Sequence, residues 1–348
     1  MHYAKIDLVI KTRRRKMRVD ELRAALEKYD TATLKKILVE LYKKIPKKIK
    51  EENGFDDLLL NFEDGKKAIK QEKQIDFDAL AGEIEEFIDY ADKQYYFGPN
   101  QYVRKNERSK WRFTVMHFIK DLLTVKGEDS EEAGDLLADI YAMLCYGCSY
   151  YIFSTENPFS AVGYKQVELL KIVLEKLFYS GFSQTAIKKA VFLTLDSEVD
   201  HETLNRDLST ILVNALKTPE TKEEALLQCI AYQKEYYDYQ SEKEYFKYKR
   251  DSSSRDFRQN EHKKYAIELY SMLKFSLYEY DEGIEYFWKH YNGSTEDILY
   301  YLLKLLNNCD LNELWIREYE KAVANGINPH DSLKKEYDER KKDNKTNP

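Results

Sequence analysis

Cys145 and Cys148 stand in a CYGC, the spacing of a redox pair or of half a zinc site. A reactive thiol pair needs an exposed, electropositive helix start, and a structural zinc needs a second pair of Cys or His to close its tetrahedron. Here the pair lies inside Ile140 to Thr155, a run without a charged residue, and no second CxxC or paired histidine answers it. Two small apolar thiols on one buried helix face are expected, with no metal and no other cofactor. The segment LDSEVDHETLNRD (195–207) gathers Asp196, Glu198, Asp200, His201, Glu202 and Asp207. Counted from Asp196, oxygens fall at positions 1, 3, 5 and 12 of a calcium loop, but the sharp turn at position 6 calls for glycine and His201 is there. The expected role is structural, with Asp200 capping the next helix and Glu202 favouring its positive end.

The six histidines, at 2, 117, 201, 262, 290 and 330, form no HExxH or comparable pair. His117, in WRFTVMHFIK, is expected as a hydrogen-bonded core or boundary residue beside a helix stripe. No GxSxG, Walker-type or GxGxxG loop is present, and close acids such as Asp76 and Asp78, or Glu83, Glu85 and Glu86, follow from the abundance of acids. No catalytic residue is named, and the chain is expected to act by binding.

Charge offers the first binding chemistry. KTRRRKMRVD (11–20) puts six basic side chains into eight residues of a chain whose net charge is −6. Residues 1–50 hold 16 Lys and Arg against 6 Asp and Glu. Such asymmetry points to an anionic partner, with Arg13, Arg14, Arg15, Lys16 and Arg18 tracking phosphates and Lys43, Lys44, Lys47, Lys48 and Lys50 extending the footprint. Residues 51–100 hold 14 acidic and 5 basic side chains, so the basic opening has an intramolecular alternative. A second tract, 236–258, interleaves Tyr236, Tyr237, Tyr239, Tyr245, Phe246 and Tyr248 with Lys and Arg. Aromatic faces beside cations suit stacked bases, yet with 29 tyrosines along the chain, packing between repeats explains these rings better.

The elements that must carry these residues are helices. Gly and Pro number 12 and 6 in 348 residues, against a usual share of about 12%, so turns are few and elements long. Helical spacing recurs at Leu34, Ile37, Leu38, Leu41, Tyr42 and Ile45, at Val115, Phe118, Ile119, Leu122 and Leu123, and at Leu170, Val173, Leu174, Leu177 and Phe178. It returns at Leu204, Leu208, Ile211, Leu212 and Ala215 and at Ile298, Tyr301, Leu302, Leu305 and Leu306, while only IDLVI near the start reads as a strand. Thr218-Pro219 marks a helix start, Ser294/Asp297 and Asp310/Glu313 have capping-box spacing, and Gly181, Gly293 and Gly326 sit at helix C-termini.

The fold expected is all-α: a helical N-terminal region, then antiparallel helical hairpins stacked as an α-solenoid in the C-terminal half. Helix pairs at roughly 261–280 with 281–291, and 294–308 with 310–325, start a little over 30 residues apart, as in tetratricopeptide-like (TPR-like) repeats. The resemblance is to that architecture, since the tetratricopeptide Trp, Gly and Pro landmarks are missing. Expected divisions are a basic-then-acidic helical region (1–100), a central region with a buried uncharged helix (101–160), a repeat region (161–328) and a frayed charged tail (329–348), with turn-rich boundaries at 97–109, 154–163 and 250–260. Four cysteines are too few for a secreted disulfide framework, no export signal is visible, and no apolar run reaches the ~20 residues of a membrane span. These readings predict a cytoplasmic helical-repeat scaffold or adaptor for a protein partner, with Tyr286, Trp288, Tyr291 and Trp315 as its surface. The runner-up is a nucleic-acid-associated protein using residues 11–18, and the third reading an enzyme without a recognisable motif.

Overall fold

The computed structural model describes residues 19–47, 50, 55–61, 75–242 and 252–346. The strand-like IDLVI, Arg13, Arg14, Arg15, Lys16, Arg18 and Lys48 lie outside the described residues, as do the side chains of the aromatic tract from Tyr236 to Phe257. Every regular element among the described residues is a helix. By contacts the chain divides into two units, Met1–Gln74 and Ile75–Pro348.

The first unit contains α1 (Val19–Leu26), α2 (Thr31–Lys44) and α3 (Phe55–Leu60). Asp30 caps α2 by accepting from the Thr33 amide at 3.1 Å. The apolar stripe predicted for α2 forms but buries nothing: Leu38 is 50% exposed and Leu41 56%. Lys47 is exposed, and the Lys50 ammonium sits 3.7 Å over the Tyr42 ring.

In the second unit, α4 (Phe77–Asp92), the short α5 (Lys105–Arg108) and α6 (Trp111–Thr124) lead into α7 (Ser130–Ser149). The uncharged run 140–155, expected as one buried helix, supplies only the second half of α7, whose first half carries Glu131, Glu132, Asp135 and Asp139, and the rest of the run lies past the helix end. A single turn, α8 (Pro158–Ala161), is followed by α9 (Gln166–Leu177), α10 (Gln184–Leu195), α11 (Asn205–Ala215), α12 (Pro219–Glu242) and α13 (Ser252–Ser276). Then come α14 (Tyr280–His290), α15 (Thr295–Asn308), α16 (Asn312–Ala324) and α17 (Asp331–Thr346). Helices two apart pack on one another, α7 on α9, α9 on α11, α11 on α13 and α10 on α12, while neighbours from α12 to α17 pack in succession. That pattern is consistent with a stack of helical repeats. One apolar core runs from α4 to α13 and a second from α13 to α17. The predicted stripes supply both: Val115, Ile119, Leu122, Leu170, Leu174 and Leu302 are all at 0% exposure.

Helix ends set the geometry. Four of the longer helices close in the Schellman motif, with a left-handed residue just past the helix, and the single turn α8 closes the same way at Gly163 (φ 81°). The four residues are Gln94 (φ 60°), Tyr278 (φ 63°), Asp310 (φ 56°) and Gly326 (φ 83°). In each, the next amide reaches back to the third-last helical carbonyl: Tyr95 to Tyr90, Glu279 to Lys274, Leu311 to Leu306 and Ile327 to Ala322. Only Gly326 follows the predicted glycine rule closely, since Gly181 (φ 121°) lies beyond its helix end and Gly293 lacks a positive φ. Asp310 is no N-cap; it ends α15, and Leu311 caps α16. Asp310 follows Tyr278 by 32 residues, and the capping residues after them share one conformation, Glu279 at φ −93°, ψ 57° and Leu311 at φ −92°, ψ 60°. The two hairpin turns are therefore the same turn repeated.

The tail predicted to fray is helical. Leu333, Tyr337 and Arg340 form its inward stripe: Leu333 is buried, Tyr337 stacks on Tyr319 at 4.3 Å, and the Arg340 guanidinium lies 4.6 Å from the Trp315 ring centroid. Arg340 also donates to Asn307 at 2.5 Å and to Asn312, pinning α17 over the α15–α16 turn.

Candidate functional site

The repeated turn places the second helices of two hairpins, α14 and α16, on either side of a cleft of about 720 Å³. Asp281, Ile284, Glu285 and Trp288 recur at helical spacing along one face of α14 and line one wall. Arg317, Glu318, Lys321, Ala322 and Asn325 line the other. The left-handed turn at Gly326 folds the chain back so that Ile327 closes one end beside Ala322. The cleft thus has an apolar floor with Trp288 as its largest ring, and charged edges.

Glu318 is the unusual member, a carboxylate 2% exposed at the surface of a cleft. Such a charge is tolerable only with partners. Arg317 supplies one, donating from Nε to Glu318 Oε1 at 3.1 Å, while its Nη2 reaches across to Asp281 at 2.7 Å on the facing helix. The Lys321 ammonium stands 3.8 Å from the other Glu318 oxygen. One guanidinium therefore ties the two walls together, and Lys321, well exposed, can turn toward an incoming group.

The four predicted surface aromatics divide. Trp288 is partly buried and lines the cleft. Tyr286 faces the preceding helices, stacking on Tyr270 at 3.7 Å and accepting from Gln233 at 3.0 Å. Tyr291 and Trp315 are corrections, at 5% and 0% exposure. Tyr291 stacks on Phe287 at 4.5 Å, and Trp315 lies parallel to Tyr319 beneath Arg340. Rings at core-facing helical positions bury most of their area whatever their polar tip, so residue type alone did not separate these two from Trp288. Arg317, Glu318, Lys321 and Ile327 were missed; only the spacing of Glu318, Lys321 and Ala322 along one helix signals them.

A second polar cluster lies between α13 and α15. Burial first, and then the nearby Glu261 carboxylate, push the Glu268 carboxyl up to about 7. Burial and the Glu268 charge likewise raise the Tyr291 phenol, which donates to that carboxylate. Lys264 pairs with Glu261 at 2.8 Å and lies 5.9 Å from the Tyr291 ring centroid.

The other sequence candidates are structural. Cys145 is buried and its thiol is pushed up to about 12 by desolvation, while Cys148 is partly buried and raised for the same reason. Gln166, wholly buried, donates to the Glu198 carbonyl at 2.8 Å and accepts from the Asp200 amide at 2.9 Å, anchoring the 196–204 loop to α9. Asp200 caps no helix; it accepts from the Glu202 amide at 3.0 Å within the loop and from Asn157 at 3.3 Å, while the N-cap of α11 is Leu204, with Asp207 accepting its amide. His117 is exposed, and the buried histidine is His262, bonded to the Leu195 carbonyl at 2.7 Å. Among the described residues no three His, Cys, Asp or Glu side chains converge as a metal site, and no helix is long and apolar enough to cross a membrane.

Compared with protein-family profiles, with curated proteins and with solved structures, the chain matches none.

Proposed function

We propose that this chain is a TPR-like α-solenoid that works as a scaffold or adaptor, holding a segment of a partner protein in the cleft between α14 and α16. The observation that carries the reading is the cleft itself: equivalent helices of two hairpins with the same turn, an apolar floor around Trp288 and charge on both rims. Stacked hairpins expose such inter-repeat grooves, and recognition of extended or helical segments is what grooves of this kind provide. This step is an analogy at the level of architecture. A buried, protonated Cys145 and loop acids engaged in structural bonds, Asp196 with the Tyr232 hydroxyl and Asp200 with the Glu202 amide and Asn157, support binding over catalysis. Four free cysteines support a reducing compartment, and we place the chain in the cytoplasm.

Selection of a displayed random-peptide library on the full chain, followed by calorimetry on the winners, tests the proposal. The expected result is a set of peptides sharing an apolar anchor, whose Kd rises about tenfold or more in Trp288→Ala, the range of a buried aromatic anchor. Peptides whose affinity ignores both Trp288→Ala and Lys321→Glu would contradict it. Association with nucleic acid through the basic opening is the second reading, favoured by 16 Lys and Arg against 6 acids in residues 1–50.

A further inference from the structure

The loop between α4 and α5 holds exposed aromatic rings in fixed positions. Gln94 turns the chain with its left-handed φ and donates from its side chain to the Tyr151 carbonyl at 2.9 Å. Asn100 does the work of four backbone partners: its Nδ2 donates to the Tyr95 and Gly98 carbonyls, and its Oδ1 accepts from the Tyr102 and Val103 amides. Arg108 donates to the Gly98 carbonyl at 2.5 Å. Beneath the loop, Trp111 stacks on Phe153 at 3.8 Å and Tyr96 packs on Phe87 at 4.5 Å.

On this support, Phe97 is 49% exposed, Tyr102 55% and Tyr151 59%. Tyr102 lies nearly parallel to Tyr95, 4.5 Å away and tilted by 10°. One face of the Tyr102 ring is thus covered, and its exposed area belongs to the other. Phe97 and Tyr151 form a separate pair at 5.9 Å. Large rings ordinarily bury, and a loop this heavily hydrogen-bonded could have turned them inward.

The segment that follows the loop is mostly basic. Residues 104–112 carry Arg104, Lys105, Arg108, Lys110 and Arg112 against Glu107 alone. Arg104, Lys105, Lys110 and Arg112 are exposed, and among the described residues none of the four forms an ion pair. On α4, Asp89 pairs with Lys93 at 2.7 Å and Glu86 accepts the Tyr90 hydroxyl, while the carboxyl of Asp92, at the helix end, is pushed up to about 6 by burial. Exposed aromatic faces followed in the chain by cations without ion pairs are what a single strand of nucleic acid requires, bases stacking on the rings while phosphates follow the cations. A proline-rich peptide would use the rings and leave the cations without a role.

We propose that the exposed rings of Phe97, Tyr102 and Tyr151, together with Arg104, Lys105, Lys110 and Arg112 of the basic segment that follows the loop, bind single-stranded nucleic acid. The site is distinct from the cleft between α14 and α16, and from the basic opening at 11–18. The test uses the full chain carrying Arg13, Arg14, Arg15 and Lys16→Ala, so that the opening contributes less, and fluorescence anisotropy with a labelled 15-mer of oligothymidylate, a 15-mer of oligouridylate and a 15-base-pair duplex. At about 50 mM salt the single strands bind more tightly than the duplex. Four phosphate contacts weaken them roughly fiftyfold at 200 mM. Tyr102→Ala raises Kd about tenfold without changing the salt slope, Tyr102→Trp restores binding, and Arg104→Glu with Lys105→Glu flattens the slope. The proposal is overturned if neither single strand binds at low salt, if the duplex binds as tightly, or if Tyr102→Trp is as weak as Tyr102→Ala. Tyr102-dependent binding of a decaproline peptide by a chain silent toward both oligonucleotides would likewise overturn it, in favour of a peptide.

Discussion

Two glycines inside helices, changed to the same residue, should move stability in opposite directions. Gly82 lies on the exposed face of α4, and a Cβ there meets nothing within 4 Å. Alanine gains about 1 kcal/mol of helix propensity at that site, with no packing cost. Gly283 lies in α14 where it crosses α13, and a Cβ there would fall 2.7 Å from Phe275 Cε1 and 3.0 Å from Lys274 Cβ. Neither neighbour is free to yield, because Phe275 is 5% exposed and the Lys274 ammonium is held by Glu279 at 2.5 Å and Glu282 at 2.6 Å. Ser271 also donates to the Gly283 carbonyl at 3.0 Å, a bond that needs the same close approach. Overpacking of this kind costs about 1–3 kcal/mol, which set against the propensity gain of about 1 kcal/mol leaves Gly283→Ala destabilised by up to about 2 kcal/mol. Urea unfolding followed by circular dichroism reads the pair as opposite shifts in midpoint with an unchanged m-value. If Gly283→Ala stabilises the chain as Gly82→Ala does, the α13–α14 crossing is not as close as described, and the hairpin argument fails with it.

Glu268 gives a pH dependence with a definite sign. Its folded carboxyl, at about 7, binds a proton more tightly than the unfolded one, so stability is highest at low pH, falls as pH rises from about 4.5 through 7, and is flat above. Glu268→Gln should shrink that slope to the share that Asp92, also pushed up by burial to about 6, contributes below pH 6, and be the more stable protein at pH 8 in thermal melts; a slope unchanged by the substitution assigns it elsewhere. Arg317→Ala strips the buried Glu318 of its nearest partner and should cost about 1–3 kcal/mol, most of it recovered by adding Glu318→Gln. A double-mutant cycle in urea checks this, and additive costs would refute the coupling. Tyr278, 80% exposed at a left-handed φ, should gain about 0.5–1 kcal/mol on replacement by glycine, measured by the same unfolding midpoints.

Helix periodicity was legible because each stripe is read from residue type and spacing alone, and Ile119, Leu122 and Leu302 are buried where the pattern puts them. The displacement of a little over 30 residues was also legible, and the structure ties it to one turn used twice. What the turn is made of was not. Gln94, Tyr278 and Asp310 occupy a backbone region that favours glycine, held there by the hydrogen bonds of the motif, and no local signal marks them. Asp310 even imitated a helix start, since an acid before Glu313 has the spacing of a cap. The α17 stripe of Leu333, Tyr337 and Arg340 was obscured by the density of charge around it, and its partners Trp315 and Tyr319 are far enough away in sequence to give no hint. In the cleft, Trp288 was legible as an aromatic with a polar edge; the ion-paired Glu318 was not, because only burial distinguishes it from the other acids on solvent-facing helices.

The cleft between α14 and α16 is tested most directly by hydrogen exchange on the full chain, free and saturated with a peptide selected on it. Slowed exchange confined to residues 281–288 and 317–327, and lost in Trp288→Ala, is the result expected of a partner segment seated between the two helices. Protection that falls elsewhere, or that persists undiminished in Trp288→Ala, would contradict the proposed binding site.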